Sequence, residues 1–115
     1  MRRGTLAVGG RKIALHVVRD GHPKLEGNNG MYYPDEGAIY LNGQLEATAF
    51  QDTYLHELEH AINDVSGANN VLAAAIAEEK KRDEAEEQIV RCRTTVWHKY
   101  LLDYGPFPSF LTRIQ

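Results

Sequence analysis

The stretch that decides the fold is Thr53–Ile62, which reads T-Y-L-H-E-L-E-H-A-I. It contains an H-E-x-x-H motif running from His56 to His60. On a helix the two histidines lie about 40° apart on one face. Two imidazoles so placed can bind one Zn²⁺, and the glutamate between them, Glu57, is positioned to act as a general base. The motif therefore predicts a zinc site with hydrolytic chemistry.

Apolar residues surround the motif at helical spacing. They occupy an arc of about 140° that lies opposite the two histidines. Its members are Phe50, Tyr54, Leu55, Leu58, Ala61, Ile62 and Val65. The pattern predicts an amphipathic helix over residues 45–65, with one face in the core and the histidine face towards a cleft.

Two hairpins are predicted upstream of this helix. Residues 5–20 form two β-rich runs around Gly9-Gly10, a dipeptide that suits a two-residue turn. The runs Met31–Tyr33 and Ala38–Leu41 flank a second turn at residues 34–37. We therefore predict an α+β fold, in which a small antiparallel sheet of two hairpins precedes the motif helix and a C-terminal helix that carries a ligand.

The third zinc ligand is expected among the carboxylates of residues 78–87, because a catalytic zinc takes three protein ligands. On a helical wheel Glu86 points into the apolar face of the helix predicted over residues 89–104, which ends at Gly105–Pro108. A buried carboxylate needs a partner, and Zn²⁺ would be one. Glu86 is therefore the predicted third ligand, with Glu87 and Glu79 as alternatives.

Other residues of this segment carry weaker predictions. Arg93 falls in the same apolar arc, where it either orients a ligand carboxylate or extends its head to water. Cys92 is predicted to be a buried small residue. Several tyrosines are candidates to stabilise an oxyanion, and the spacing selects none of them. They are Tyr32, Tyr33, Tyr54, Tyr100 and Tyr104.

The composition limits the class of protein. The chain has 115 residues, of which 43% are hydrophobic and 25% are charged. Residues 1–115 are therefore expected to form a single domain. A net charge of -3 argues against nucleic acid as the primary partner. The single cysteine excludes an internal disulfide and an all-cysteine zinc module. Neither a signal peptide nor a membrane span is visible, so we expect no membrane partner and a cytoplasmic location.

The order of features resembles the ImmA/IrrE-like zinc metallopeptidases of phages and mobile elements, which are minimal zincins of gluzincin type. The resemblance rests on the strand I-Y-L-N at residues 39–42, H-E-L-E-H-A at residues 56–61 and E-E-Q-I-V at residues 86–90, and it covers roughly residues 31–102. It implies one Zn²⁺ per chain, a peptide or protein substrate, and a location in the host cytoplasm or the virion. It makes His56, His60 and Glu86 the ligands and Glu57 the general base.

Three hypotheses follow for the function. The leading one is a zinc-dependent metallopeptidase whose peptide substrate pairs with an exposed edge strand, predicted at Ile39–Asn42. The alternative is a non-catalytic, zinc-stabilised module of a phage, its virion or a host interaction. The third is an interaction protein that binds no metal.

Overall fold

A computed structural model describes residues 2–103 of the chain, with side chains described for residues 2–94. The architecture is α+β, as predicted, with a four-stranded sheet followed by helices. The elements are β1 (Arg2–Val8), β2 (Arg11–Val18), a short 3-10 turn (Pro23–Leu25), β3 (Gly30–Tyr33), β4 (Ala38–Asn42), α1 (Ala47–Val65), α2 (Ala68–Ala75) and α3 (Glu79–Asp103). In this part of the chain, no helix has the length and apolar character needed to cross a membrane.

Both predicted hairpins are confirmed. In the first, β1 and β2 pair antiparallel around Gly9 and Gly10, whose φ angles of +56° and +82° match the two-residue turn that fits the twist of the strands. In the second, β3 and β4 pair antiparallel across residues 34–37. In both hairpins, the turn residues therefore correctly identify which two strands pair.

The prediction of an all-antiparallel sheet is wrong, because the strand order is β1-β2-β4-β3 and β2 pairs parallel with β4. The second hairpin joins the first through β4, which lies beside β2. The connection over residues 19–29 is long enough to allow this arrangement. The predicted edge strand Ile39–Asn42 is consequently wrong as well. It forms the interior strand β4, where Ile39 and Leu41 are fully buried, and the edge next to α1 belongs to β3.

Helix α1 covers one face of the sheet, as its apolar arc predicts. Phe50, Tyr54, Leu55 and Ala61 are buried against Ile13, Leu15, Ile39 and Leu41 of the sheet. The remaining arc residues, Leu58, Ile62 and Val65, pack around this core. This packing fixes the rotation of α1 and turns the histidines away from the core.

The chain after α1 differs in detail from the prediction. Gly67, with φ +82°, is the N-cap residue of α2, and the chain is extended at Ile76. Helix α3 then begins at Glu79, before the predicted helix start at residue 89. Cys92 is exposed, which corrects its prediction as a buried residue. The predicted helix end at residues 105–108 lies outside the described residues.

Candidate metal centre

Helix α1 brings the two histidines of the motif together. Because they lie one turn apart, their Nε2 atoms approach to 3.3 Å. Both side chains are partly buried, at 25% exposure for His56 and 19% for His60. The helix therefore presents two nitrogen atoms to one point beside its surface.

Helix α3 brings two carboxylates to this point from the other side. Glu87 contacts both histidines, with Oε1 2.8 Å from Nε2 of His56 and Oε2 3.1 Å from Nε2 of His60. Glu86 contacts the opposite nitrogen of His60, with its oxygens 2.7 and 2.9 Å from Nδ1. The arrangement favours Glu87, the alternative candidate, over Glu86 as the third ligand.

The cluster of His56, His60 and Glu87 fits a divalent metal. One ligand atom from each residue lies within 4.8 Å of the others. The separation of 3.3 Å between the two Nε2 atoms matches the edge of about 3.3 Å in a tetrahedron with zinc–nitrogen bonds near 2.0 Å. Two imidazoles and one carboxylate are also a ligand set that suits a catalytic zinc. Glu79, the other alternative, is exposed and lies outside this cluster.

Glu86 determines which nitrogen of His60 is available. Its contact with Nδ1 favours the tautomer in which Nδ1–H donates to the carboxylate and the lone pair of Nε2 faces His56. Burial opposes a charge on His60, but the hydrogen bond and charge of Glu86 outweigh it, so the pKa of His60 lies above its ordinary value. Burial lowers the pKa of His56 despite the charge of Glu87. Neutral His56 is the form that binds a metal.

Glu57 lies beside the histidines and is less exposed to solvent than they are. It is 7% exposed, and burial, reinforced by the charges of Glu87 and Glu86, raises its pKa to about 7. The charge of His60 and a hydrogen bond from the backbone N–H of Tyr32 oppose this rise. A carboxylate with a pKa near neutrality can both accept and return a proton.

These groups lie on an open cleft of about 680 Å³. Helix α1 forms its floor, β3 and the preceding loop form one wall, and α2 and α3 form the other. The lining residues are Asn28, Asn29, Gly30, Met31, Tyr32, Pro34, Asp52, Thr53, His56, Glu57, His60, Asn69, Glu86, Glu87 and Arg91. Of the predicted oxyanion candidates, Tyr32 lines the cleft, Tyr33 and Tyr54 do not, and the side chains of Tyr100 and Tyr104 lie outside the described part.

Strand β3 passes very close to the floor of the cleft. A Cβ atom on Gly30 would lie 2.7 Å from Cγ2 of Thr53 and 3.0 Å from Cγ of Glu57. Further along the strand, the hydroxyl of Tyr32 donates to Asp64 at 2.6 Å. These two contacts hold the edge strand along the helix that carries the motif.

Arg93 does not orient a ligand carboxylate in the described structure. Its Nε lies 3.3 Å from Oε2 of Glu59, a glutamate of α1 that is 4% exposed. The arginine side chain is 47% exposed, so its head also reaches water, as the second of the two predictions expects. The pair connects α1 and α3 beside the metal cluster.

Comparison with family models, with curated proteins and with solved structures finds no match to this chain. Several cleft residues were not predicted from the sequence, among them Gly30, Asn69 and Arg91. Arg91 alone had a usable signal, since it follows Glu87 by one helical turn on the same face.

Proposed function

We propose that this chain is a zinc-dependent metallopeptidase. The observation that carries the proposal is the convergence of His56, His60 and Glu87 around one point of an open cleft, with the buried carboxylate of Glu57 beside them. A structural zinc site usually has four protein ligands and no open position. Three ligands, a cleft and an adjacent base are what hydrolysis requires.

Each residue has a role in this proposal. His56, His60 and Glu87 hold the metal, and Glu86 keeps the Nδ1 proton of His60 in place. A bound zinc ion lowers the pKa of water and polarises the scissile carbonyl. Glu57 takes a proton from the attacking water and gives it to the leaving amine.

The peptide is proposed to bind along β3. This strand pairs with β4 on one side, and within residues 2–103 no strand pairs with its other side, which faces the cleft. Since Asn42 N–H donates to the carbonyl of Asn29, the backbone groups of Gly30 and Tyr32 point to the outer side. The N–H of Tyr32 already donates to Glu57, so a peptide would pair through the backbone of Gly30 and the carbonyl of Tyr32. An extended peptide can pair with such an edge by β-strand addition.

The test combines metal content with turnover. Purified wild-type protein is expected to hold about one zinc per chain and to cleave unstructured peptides. Glu57→Gln should keep the zinc and lose cleavage, because the ligands remain and the base is removed. Full cleavage by Glu57→Gln would contradict the proposal.

The same experiment addresses the non-catalytic alternative. The contacts of Glu86 and Glu87 with the histidines join α3 to α1, so a metal would also hold these helices together. Zinc without cleavage by the wild type would favour that module. A wild type without zinc after reconstitution would favour an interaction protein that binds no metal.

A further inference from the structure

One strongly basic side chain faces the cleft. The lining residues within the described chain include one arginine, Arg91, and no lysine. Arg91 is 74% exposed, and its Nε lies 3.6 Å from Oε1 of Glu87. Oε1 is also the oxygen that contacts His56, whereas Oε2 contacts His60. Arg91 therefore lies at the His56 end of the metal cluster.

The direction of β3 relates this end of the cleft to the direction of a bound peptide. Gly30, at the start of β3, packs against Thr53, whereas the hydroxyl of Tyr32 reaches Asp64 near the end of α1. The strand and the helix therefore run in the same direction. A peptide that pairs antiparallel with β3 runs the opposite way and places the residues that follow its scissile bond near His56 and Arg91.

We infer that Arg91 is a specificity-determining residue that binds a carboxylate of the substrate on the C-terminal side of the scissile bond. The inference rests on the proposed peptidase function. A guanidinium offers five N–H donors in a planar fork, which suits a carboxylate and is enough to contact Glu87 at the same time. The carboxylate belongs either to an Asp or Glu side chain after the cleaved bond or to the C-terminus of a short peptide.

A nearby acidic residue, Asp52, allows a second test of the role of Arg91. It is exposed and lines the cleft one helical turn before His56. Its negative charge disfavours the binding of a substrate carboxylate, and the positive charge of Arg91 offsets this repulsion. Asp52→Asn should therefore strengthen the preference for acidic peptides, whereas Arg91→Gln should abolish it.

The experiment uses a synthetic library of nonapeptides with randomised central positions and both ends blocked. Zinc-loaded protein cleaves the library, and mass spectrometry counts Asp and Glu against Asn and Gln after each cleaved bond. For the wild type we expect roughly tenfold enrichment of the acidic residues, and parity or depletion for Arg91→Gln, in which the negative charge of Asp52 is no longer offset. Lys80→Gln, an exposed position on the same helix outside the cleft, is the matched control and should keep the enrichment.

A second library with a free C-terminus distinguishes the two sources of the carboxylate. Cleavage confined to the last few residues, and only with this library, assigns the C-terminal carboxylate; enrichment in the blocked library assigns a side chain. Parity for the wild type in both libraries would overturn the inference. An equal loss of acidic and amide products from the blocked library in Arg91→Gln would also overturn it, because Arg91 would then act through Glu87 or the scissile carbonyl.

Failure of the proposed function has a different outcome. If zinc-loaded wild type cleaves neither library, the peptidase proposal fails. The inference is then decided by binding, since peptides retained by the zinc-loaded Glu57→Gln variant should be enriched in carboxylates and lose that enrichment when Arg91→Gln is added. Equal retention of acidic and amide peptides would reject it.

Discussion

Replacing each of the two neighbouring glutamates by glutamine separates the ligand from the residue that orients it. Glutamine keeps the shape of the side chain and removes the charge. Glu87 contacts the Nε2 atoms of both histidines, whereas Glu86 contacts Nδ1 of His60. The structure therefore predicts a larger loss of zinc affinity for Glu87→Gln than for Glu86→Gln.

The expected magnitudes follow from the two kinds of contact. Structural zinc sites with four ligands bind with about 10–16 kcal/mol, so one ligand accounts for roughly 3 kcal/mol, which is a loss of about a hundredfold or more. Removing a carboxylate that orients a ligating histidine costs about 10- to 100-fold. Competition with a chromophoric chelator at fixed pH measures both affinities.

Proton release gives a second, independent measurement. Glu86 raises the pKa of His60, so a larger fraction of that ring is protonated near neutral pH. Zinc binding must displace this proton. Glu86→Gln should therefore reduce the protons released per zinc, which calorimetry in buffers of different ionisation enthalpy measures. Weaker zinc binding in Glu86→Gln than in Glu87→Gln would refute the assignment and make Glu86 the ligand.

Three further predictions concern the elements around the site. Gly30→Ala should lower the free energy of unfolding by about 1–3 kcal/mol in urea titrations, because its Cβ overlaps Thr53; unchanged stability would contradict the close packing of β3. The pKa of Tyr32 is raised to about 12 by burial and the hydrogen bond to Asp64, so the folded state favours the neutral phenol. Stability should fall as the pH rises from about 10 towards 12, and Tyr32→Phe should flatten this dependence. Arg93→Gln should cost about 1–2 kcal/mol, since it leaves Glu59 buried beside a neutral partner, while zinc content stays at the wild-type value.

The sequence predicted much of the fold because its signals were local. The glycines at positions 9 and 10 predict the first hairpin, and the apolar arc of α1 predicts which side of that helix meets the sheet. The order of the strands is not a local property. Nothing in I-Y-L-N states whether Ile39–Asn42 has one neighbour or two, and the parallel pair between β2 and β4 depends on the path of residues 19–29.

The helical wheel described the depth of Glu86 on α3 correctly but did not identify Glu87 as the proposed ligand. It placed Glu86 on the buried side, and Glu86 is indeed less exposed than Glu87, at 16% against 36%. The Nε2 atoms of both histidines, however, contact Glu87, which is the less buried of the two carboxylates. A helical wheel indicates how deeply a side chain is buried on its own helix. The choice of ligand depends instead on which nitrogen of His60 the carboxylate contacts.

The position of Glu86 also connects the stability of the site with its chemistry. Its contact with His60 uses Nδ1, the nitrogen that is not proposed to bind the metal, and joins α3 to α1, and the pair of Arg93 with Glu59 adds a second connection. Glu87 can therefore be held near His56 before the metal arrives, which reduces the conformational entropy lost on binding. On this argument the two adjacent glutamates are not redundant, because one prepares the site that the other completes.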